Sequence, residues 1–324
     1  MVRIFANANY DFIGFRRKAI FATIALFVVG MIALIGWKLN YSVEFTGGTL
    51  MDVNTHSHVD VQQLRTALAT VGLPDAEITP SANNQYLIRA RKAAANGDPN
   101  NVSITGAAIG KALDQATGGH SNWQQNHLDA VGPKVGGELR GKAFLAIFLS
   151  FFAVLAYLAV RFEWRFGLAA VVATFHDIVL TICFIAVIRL EVSLVVVAAV
   201  LSMVGYSLND TIVIFDRVRE NMRKSRRDNL VAVLNESINE TLPRSVLTHT
   251  TALASLAALA IFGGPVIRPF AVVMFFGVFT GTFSSIFIAA PVLLIIETKW
   301  PGIDGRKPRV SARVSPAARR PSTV

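Results

Sequence analysis

The sequence predicts an all-α membrane protein of six transmembrane helices. A small α+β, ferredoxin-like domain outside the membrane sits between the first and second helices. Three observations carry this. Six apolar runs approach or exceed the roughly 20 residues a bilayer requires at 1.5 Å per residue. Between the first two lies a long polar stretch whose pattern reads β-α-β-β-α-β. Only 16% of residues are charged and 53% are hydrophobic, with a mean hydropathy of +0.49. A soluble domain carries about a quarter charged residues.

Met1–Lys18 is short, polar and basic at its end, and reads as a cytoplasmic N-terminus. Ala19–Trp37 is the first span, closed by an interfacial tryptophan. It has the basic start of a signal peptide but no A-x-A-like exit, and further spans follow, so it reads as uncleaved. Residues 38–142 form the outer domain. Leu50–Val53, Ala76–Thr79, Tyr86–Ala90 and Trp123–Val131 read as strands, with Asn83-Asn84 as a turn. Val59–Val71 carries Val61, Leu64, Leu68 and Val71 at helical spacing, and Val102–Ala116 reads as a second helix. Asn96–Asn101 reads as a loop.

The remaining spans fall in residues 143–296: Ala143–Val160, Phe166–Ile188, Val192–Phe215, the short Val246–Phe262, and Phe270–Ile296. The connection 216–245 carries an apolar stripe at Leu230, Val233, Leu234 and Ile238 beside an Arg/Lys cluster. It either lies on the inner membrane surface or packs under the bundle. Residues 297–324 read as a disordered, basic cytoplasmic tail.

Charge sets the orientation. With the N-terminus inside, the cytoplasmic segments hold 20 of the 31 Lys and Arg residues. The two short outer loops hold Arg189 and Arg268 alone. This satisfies the positive-inside rule, with both termini cytoplasmic. The net charge of +10 therefore belongs to membrane topology rather than to nucleic-acid binding. The single cysteine, Cys183, excludes an intrachain disulfide.

Asp210 lies near the cytoplasmic end of the fourth span, next to Asn209 and close to Ser207 and Thr211. A carboxylate within a bilayer costs several kcal/mol, about 3 on insertion scales, and such residues mark partners or functions. His176-Asp177 sits midway along the third span, and Arg244 opens the fifth, with His249 further in. Burial favours a neutral carboxyl and a nearby guanidinium favours a charged one. A carboxyl held between the two can exchange a proton and let helices repack. Asp210 with Arg244 is the candidate relay, and His176, Asp177, Asn209 and Ser207 are polar support. Each has a plainer reading: Arg244 as a topology anchor, His176-Asp177 as a hydrogen-bonded pair, His249 as a satisfied buried histidine, Asp210 as a cap on a neighbouring helix. No metal-ligand cluster, phosphate loop or nucleophile elbow occurs in the sequence, so no cofactor and no enzyme activity is expected.

Several stretches resemble the SecD/SecF family of preprotein-translocation proteins, on its SecF side. They are Tyr10-Asp11-Phe12, Glu44 to Thr49, Gly132 to Gly136, Phe175-His176-Asp177, Gly205 to Thr211 running to Phe215 to Asn221, and Glu240 to Ser245. They stand in the family's order over almost the whole chain. The resemblance implies a six-span, RND-like half-bundle in the bacterial inner membrane. This half pairs with SecD, associates with the SecYEG channel and often YajC, and uses the proton gradient to draw preproteins out. It also implies that Asp210 and Arg244 line the proton path, with an Asp of SecD completing it. Two departures stand out. Glu44 replaces an expected Asp and keeps the charge, whereas Pro243 precedes Arg244 and bears on where the guanidinium points.

Two other classes compete. Half of an RND-type proton-driven exporter of small molecules or lipids would use the same relay, and a gene neighbour would separate the two. An intramembrane aspartyl protease would use Asp177 and Asp210 as a pair sharing a proton. Their different depths and the lack of a G-x-G-D loop weigh against it.

Overall fold

The computed structural model describes residues 8–81, 84–90, 102–131, 133–224 and 229–300. In chain order the elements are α1 (Arg16–Trp37), β1 (Asn40–Tyr41), α2 (Val43–Thr46), β2 (Gly48–Thr55), α3 (Val61–Thr70), β3 (Glu77–Pro80), β4 (Gln85–Ala90) and α4 (Val102–Thr117). They continue with β5 (Trp123–Val131), α5 (Pro133–Arg161), α6 (Trp164–Val187), β6 (Glu191–Val192), α7 (Leu194–Lys224), α8 (Leu230–Phe262), α9 (Gly264–Ser284) and α10 (Ala290–Lys299). A π-helical turn, Ser285–Ala289, joins α9 to α10. Among the described residues, six helical stretches are long and apolar enough to cross a membrane. The expected loop at 96–101, Asn83 of the expected turn and the tail from Pro301 lie outside the described residues.

The small domain is a four-stranded antiparallel sheet in the order β3-β4-β2-β5, covered by α3 and α4. Placing β4 between β3 and β2 is the split β-α-β arrangement of the ferredoxin-like fold. Alternate residues of β2 and β4, including Met51, Val53, Tyr86 and Ile88, point into one apolar core with Leu64, Leu68, Ile109 and Leu113.

The bundle has a different logic. Helices in lipid gain nothing from hiding apolar surface from lipid, so close approach at small residues decides which ones meet. Helices α6, α7 and the α9–α10 rod form the centre, while α1 and α5 are largely uncovered. A Cβ at Gly30 of α1 would stand 2.3 Å from the Cys183 Cβ of α6. On α9, Gly277 and Gly281 lie one turn apart against Met203 and Ser207 of α7, where a Cβ would come within 2.7 and 2.8 Å. This pair makes α7 and α9 close neighbours.

Two expectations need correction. Val246–Phe262 is the end of one helix that begins at Leu230 and runs through Pro243. Helix α7 likewise continues beyond Phe215 to Lys224. Residues 216–224 and 230–245 are therefore helical extensions of the two spans and pack against the bundle, the second of the two readings of this connection. Leu230, Leu234 and Ile238 sit in the bundle core. Arg217 grips Glu240 across the two helices at 2.5 and 2.8 Å, and Asn221 donates to Glu240 and to Ser237. Pro243 lacks the N–H that would reach the Asn239 carbonyl and sets its ring against that carbonyl, and these tertiary contacts hold the helix through the break.

The π turn also has a local cause. Pro291 has no N–H to offer Phe287, four residues back, which lies within the wider turn.

The small domain is fastened to the bundle through the α6–α7 loop. Strand β1 pairs in parallel with β6, Asn40 with Glu191 and Tyr41 with Val192. The Ser42 amide donates to the Val192 carbonyl at 2.9 Å, and Arg189 donates to the Trp37 carbonyl at 2.9 Å. Buried Arg89 pairs with Glu77 and with Glu191. Glu44 accepts the Leu194 amide at 2.5 Å, so a carboxylate from the domain caps the first turn of α7. Replacing Glu44 by Ala is expected to weaken this joint by about 1 kcal/mol. Hydrogen exchange of the Leu194 amide reads it, with about fivefold faster exchange expected.

Candidate functional site

Asp210 is 6% exposed, on the side of α7 that faces α8. Its Oδ1 accepts a hydrogen bond from Ser245 Oγ at 2.5 Å, and its Oδ2 has no hydrogen-bond partner among the described residues. Ser245 is in turn tied to His249, whose Nδ1 donates to the Ser245 carbonyl at 2.6 Å. The His249 ring meets Tyr206 edge-on at 5.5 Å, and the Tyr206 hydroxyl donates to the Thr248 carbonyl. Successive residues on a helix point about 100° apart, so Ser245 turned toward α7 leaves Arg244 turned away. Arg244 is exposed and makes no ion pair with Asp210.

The other polar candidates divide into two groups. Asp177 is fully buried and is a hub for three elements. Its Oδ2 accepts from Ser207 Oγ of α7 and from Ser284 Oγ of α9, both at 2.6 Å. Its Oδ1 meets His176 Nδ1 at 3.0 Å. Ser207 therefore serves Asp177 rather than Asp210. Thr211 and Ser285 bond each other at 2.8 Å one turn further along, beginning the π turn. Asn209 is exposed, about 100° around α7 from Asp210, and joins neither group among the described residues. Ser284 and Ser285 escaped sequence reasoning; their signal is the run of hydroxyls Thr280, Thr282, Ser284, Ser285 inside an apolar span.

The exposed side of α7 next to this site is built of small or polar residues: Ala198, Ser202, Gly205 and Asn209. On α8, Arg244, Thr248, Thr251 and Ser255 are exposed as well. Small and hydroxyl side chains on a bundle surface are what a second bundle requires for close packing.

The segment before α1 also reaches this region. The Tyr10 amide donates to Asn239 Oδ1, and Asn239 Nδ2 donates back to the Tyr10 carbonyl, both at 2.9 Å. The Ile13 amide donates to Asn235 Oδ1, and the Ile13 side chain is fully buried. Tyr10-Asp11-Phe12 is thus a strap along the half of α8 that precedes Arg244.

Residues 111–299 match the family described as "Protein export membrane protein SecD/SecF, C-terminal". The chain belongs to the SecD/SecF family. It is 47% identical over 323 residues to protein translocase subunit SecF of Gemmatimonas aurantiaca, covering 98% of this chain and 96% of that one. It is 40% identical over 298 residues to SecF of Magnetococcus marinus, covering 91% and 95%. The solved structure of SecDF from Thermus thermophilus, described as a translocon-associated membrane protein, superposes with a TM-score of 0.76 at 33% identity. That likeness covers 89% of this chain and 39% of the SecDF chain. The SecD/SecF assignment makes this a multi-pass membrane protein of the protein-export apparatus. Its relatives are translocase subunits, a transport component.

Proposed function

We propose that this chain is the SecF-type half of a proton-driven export device. It pairs with SecD, associates with the SecYEG channel and YajC, and promotes preprotein translocation and release on the periplasmic side. Asp210 carries the proton and Arg244 supplies the counter-charge. In this reading the chain lies in the bacterial inner membrane with both termini cytoplasmic, and the small domain is periplasmic. Lys and Arg distribution supports that orientation.

The observation that carries the proposal is the unfinished coordination of Asp210. A buried carboxyl in a well-satisfied structural site has its acceptors filled, as both oxygens of Asp177 are. Among the described residues Asp210 has one donor and one bare oxygen. The exposed Arg244 beside it stands on the small-residue face, where a partner bundle would enclose both. Protonation of Asp210 would cancel the charge that Arg244 answers and shift the packing of α7 on α8. Helix α7 carries that change to its own first turn, which Glu44 and the β1–β6 pair tie to the small domain. SecF relatives covering almost the whole chain favour polypeptide export over the small-molecule or lipid exporter.

The test is export of a secreted protein into inverted vesicles, with and without a proton gradient, with this chain native, absent or carrying Arg244→Ala. Arg244→Ala is expected to lose the gradient-dependent component, as absence of the chain does. Gradient stimulation that persists without the chain sinks the proposal.

A further inference from the structure

A shallow crevice, partly open to its surroundings, lies between α5 and the α6–α7 pair, at the end of the bundle nearest the small domain. Its walls are Phe144 and Ile147 of α5, Ile182 and Ile185 of α6, and Val196 and Val200 of α7. Tyr41 and Val192, the paired residues of the β1–β6 joint, close its upper end together with Phe45. One charged side chain reaches it: Arg140, exposed, with its guanidinium over the Tyr41 ring at 5.9 Å. Arg140 makes no ion pair among the described residues.

Three features say what fills such a space. The crevice lies beside α5, one of the least covered spans, so bilayer rather than water is its surroundings. Arg140 stands just before the apolar run that begins at Ala143, which places it at headgroup depth. From Arg140 to Ile147 the wall descends seven residues, about 10 Å into the hydrocarbon. A basic group at the phosphate level above an apolar slot fits the two halves of an anionic phospholipid.

We propose that this crevice holds one phospholipid of the leaflet on the small-domain side, an acyl chain between α5 and α7 and the phosphate on Arg140. The lipid touches both sides of the joint, so it acts as a filler that sets how the small domain sits on α7. The site stands independently of the proton reading, and its test reads lipid alone.

The test is native mass spectrometry of the full chain purified in mild detergent, with phosphatidylglycerol or phosphatidylcholine added back. The native chain is expected to retain one phosphatidylglycerol in preference to phosphatidylcholine. Ala143 also lines the slot, so Ala143→Phe places a ring in it and is expected to lower retained lipid about tenfold. Arg140→Ala is expected to abolish the headgroup preference. Equal retention of the two lipids by the native chain overturns the proposal, as does unchanged retention in Ala143→Phe. If that variant does not yield folded protein, Arg140→Ala decides alone, and an unaltered headgroup preference then refutes the site. A photo-crosslinker at Phe144 that captures a polypeptide instead of lipid also overturns it.

Discussion

Asp210→Asn is expected to remove the gradient-dependent part of export while leaving the complex assembled. The substitution is chosen for what it keeps. Asn has the shape of Asp, and its amide oxygen still accepts from Ser245 Oγ, the one hydrogen bond Asp210 makes. What it loses is the ability to gain and release a proton. A role as a buried hydrogen-bonding residue is therefore largely preserved, and a role as a proton carrier is abolished. Losing one buried hydrogen bond costs about 1 kcal/mol, near fivefold in an equilibrium. A missing titration removes the driving step, so gradient-stimulated export falls to the level seen without a gradient, a larger change than any modest repacking. Ser245→Ala supplies the contrast: it strips the donor, keeps the carboxyl, and is expected to lower stimulated export only by the smaller factor. Normal stimulation in Asp210→Asn with loss of assembled complex would return Asp210 to a structural role.

The spans were legible because the bilayer imposes length and polarity on each one separately. The small domain was legible because periods of 2 and 3.6 alternate in the order β-α-β-β-α-β, and that order leaves few sheet arrangements. The position of Asp210 was legible too, since a carboxyl in an apolar run stands out. Its neighbours were not. Ser245 and Arg244 are adjacent, and which one meets Asp210 depends on the rotation of α8. That rotation is fixed by distant contacts: Arg217 on Glu240, Asn239 on Tyr10, and Ile238 in the core. Ser207 shows the same gap from another side. It lies three residues before Asp210 and looks like its neighbour along the helix, yet its hydroxyl goes to Asp177 on α6. The helical stripe at Leu230–Ile238 was legible, but Pro243 and the charges around it concealed that it and the following span are one helix, because a local rule for ending helices was outweighed by packing. The Gly277–Gly281 pair stood in the sequence, but its partner helix did not.

That pair gives the second large effect. Gly281→Val is expected to destabilise the bundle severely. The position is helical and unstrained, so the backbone tolerates a side chain and only space decides. A Cβ at Gly281 would lie 2.8 Å from Ser207 Cβ, 3.0 Å from its Oγ and 3.1 Å from its Cα. Two of these atoms are backbone or fixed to it, so α7 itself has to move. At Gly277 the same atom meets Met203: its Sδ at 2.7 Å and Cγ at 3.2 Å can swing aside, its Cβ at 2.8 Å cannot, and no Cα is as near as the Ser207 Cα is to Gly281. Overpacking costs about 1–3 kcal/mol. Displacing Ser207 adds the loss of its bond to Asp177, about 1 kcal/mol more, and leaves a buried carboxyl short of a donor. Gly281 also lies about one turn before Ser284, whose hydroxyl donates to Asp177, and Ser285, which bonds Thr211, so the damage reaches Asp177 from two helices. Thermal unfolding in detergent checks it, with Gly141→Val as control, since a Cβ there meets nothing within 4 Å. Gly281→Val is expected to unfold well below the native protein, Gly277→Val less so, and Gly141→Val alongside it. If Gly281→Val matches Gly141→Val, α7 and α9 do not approach as closely as this packing requires.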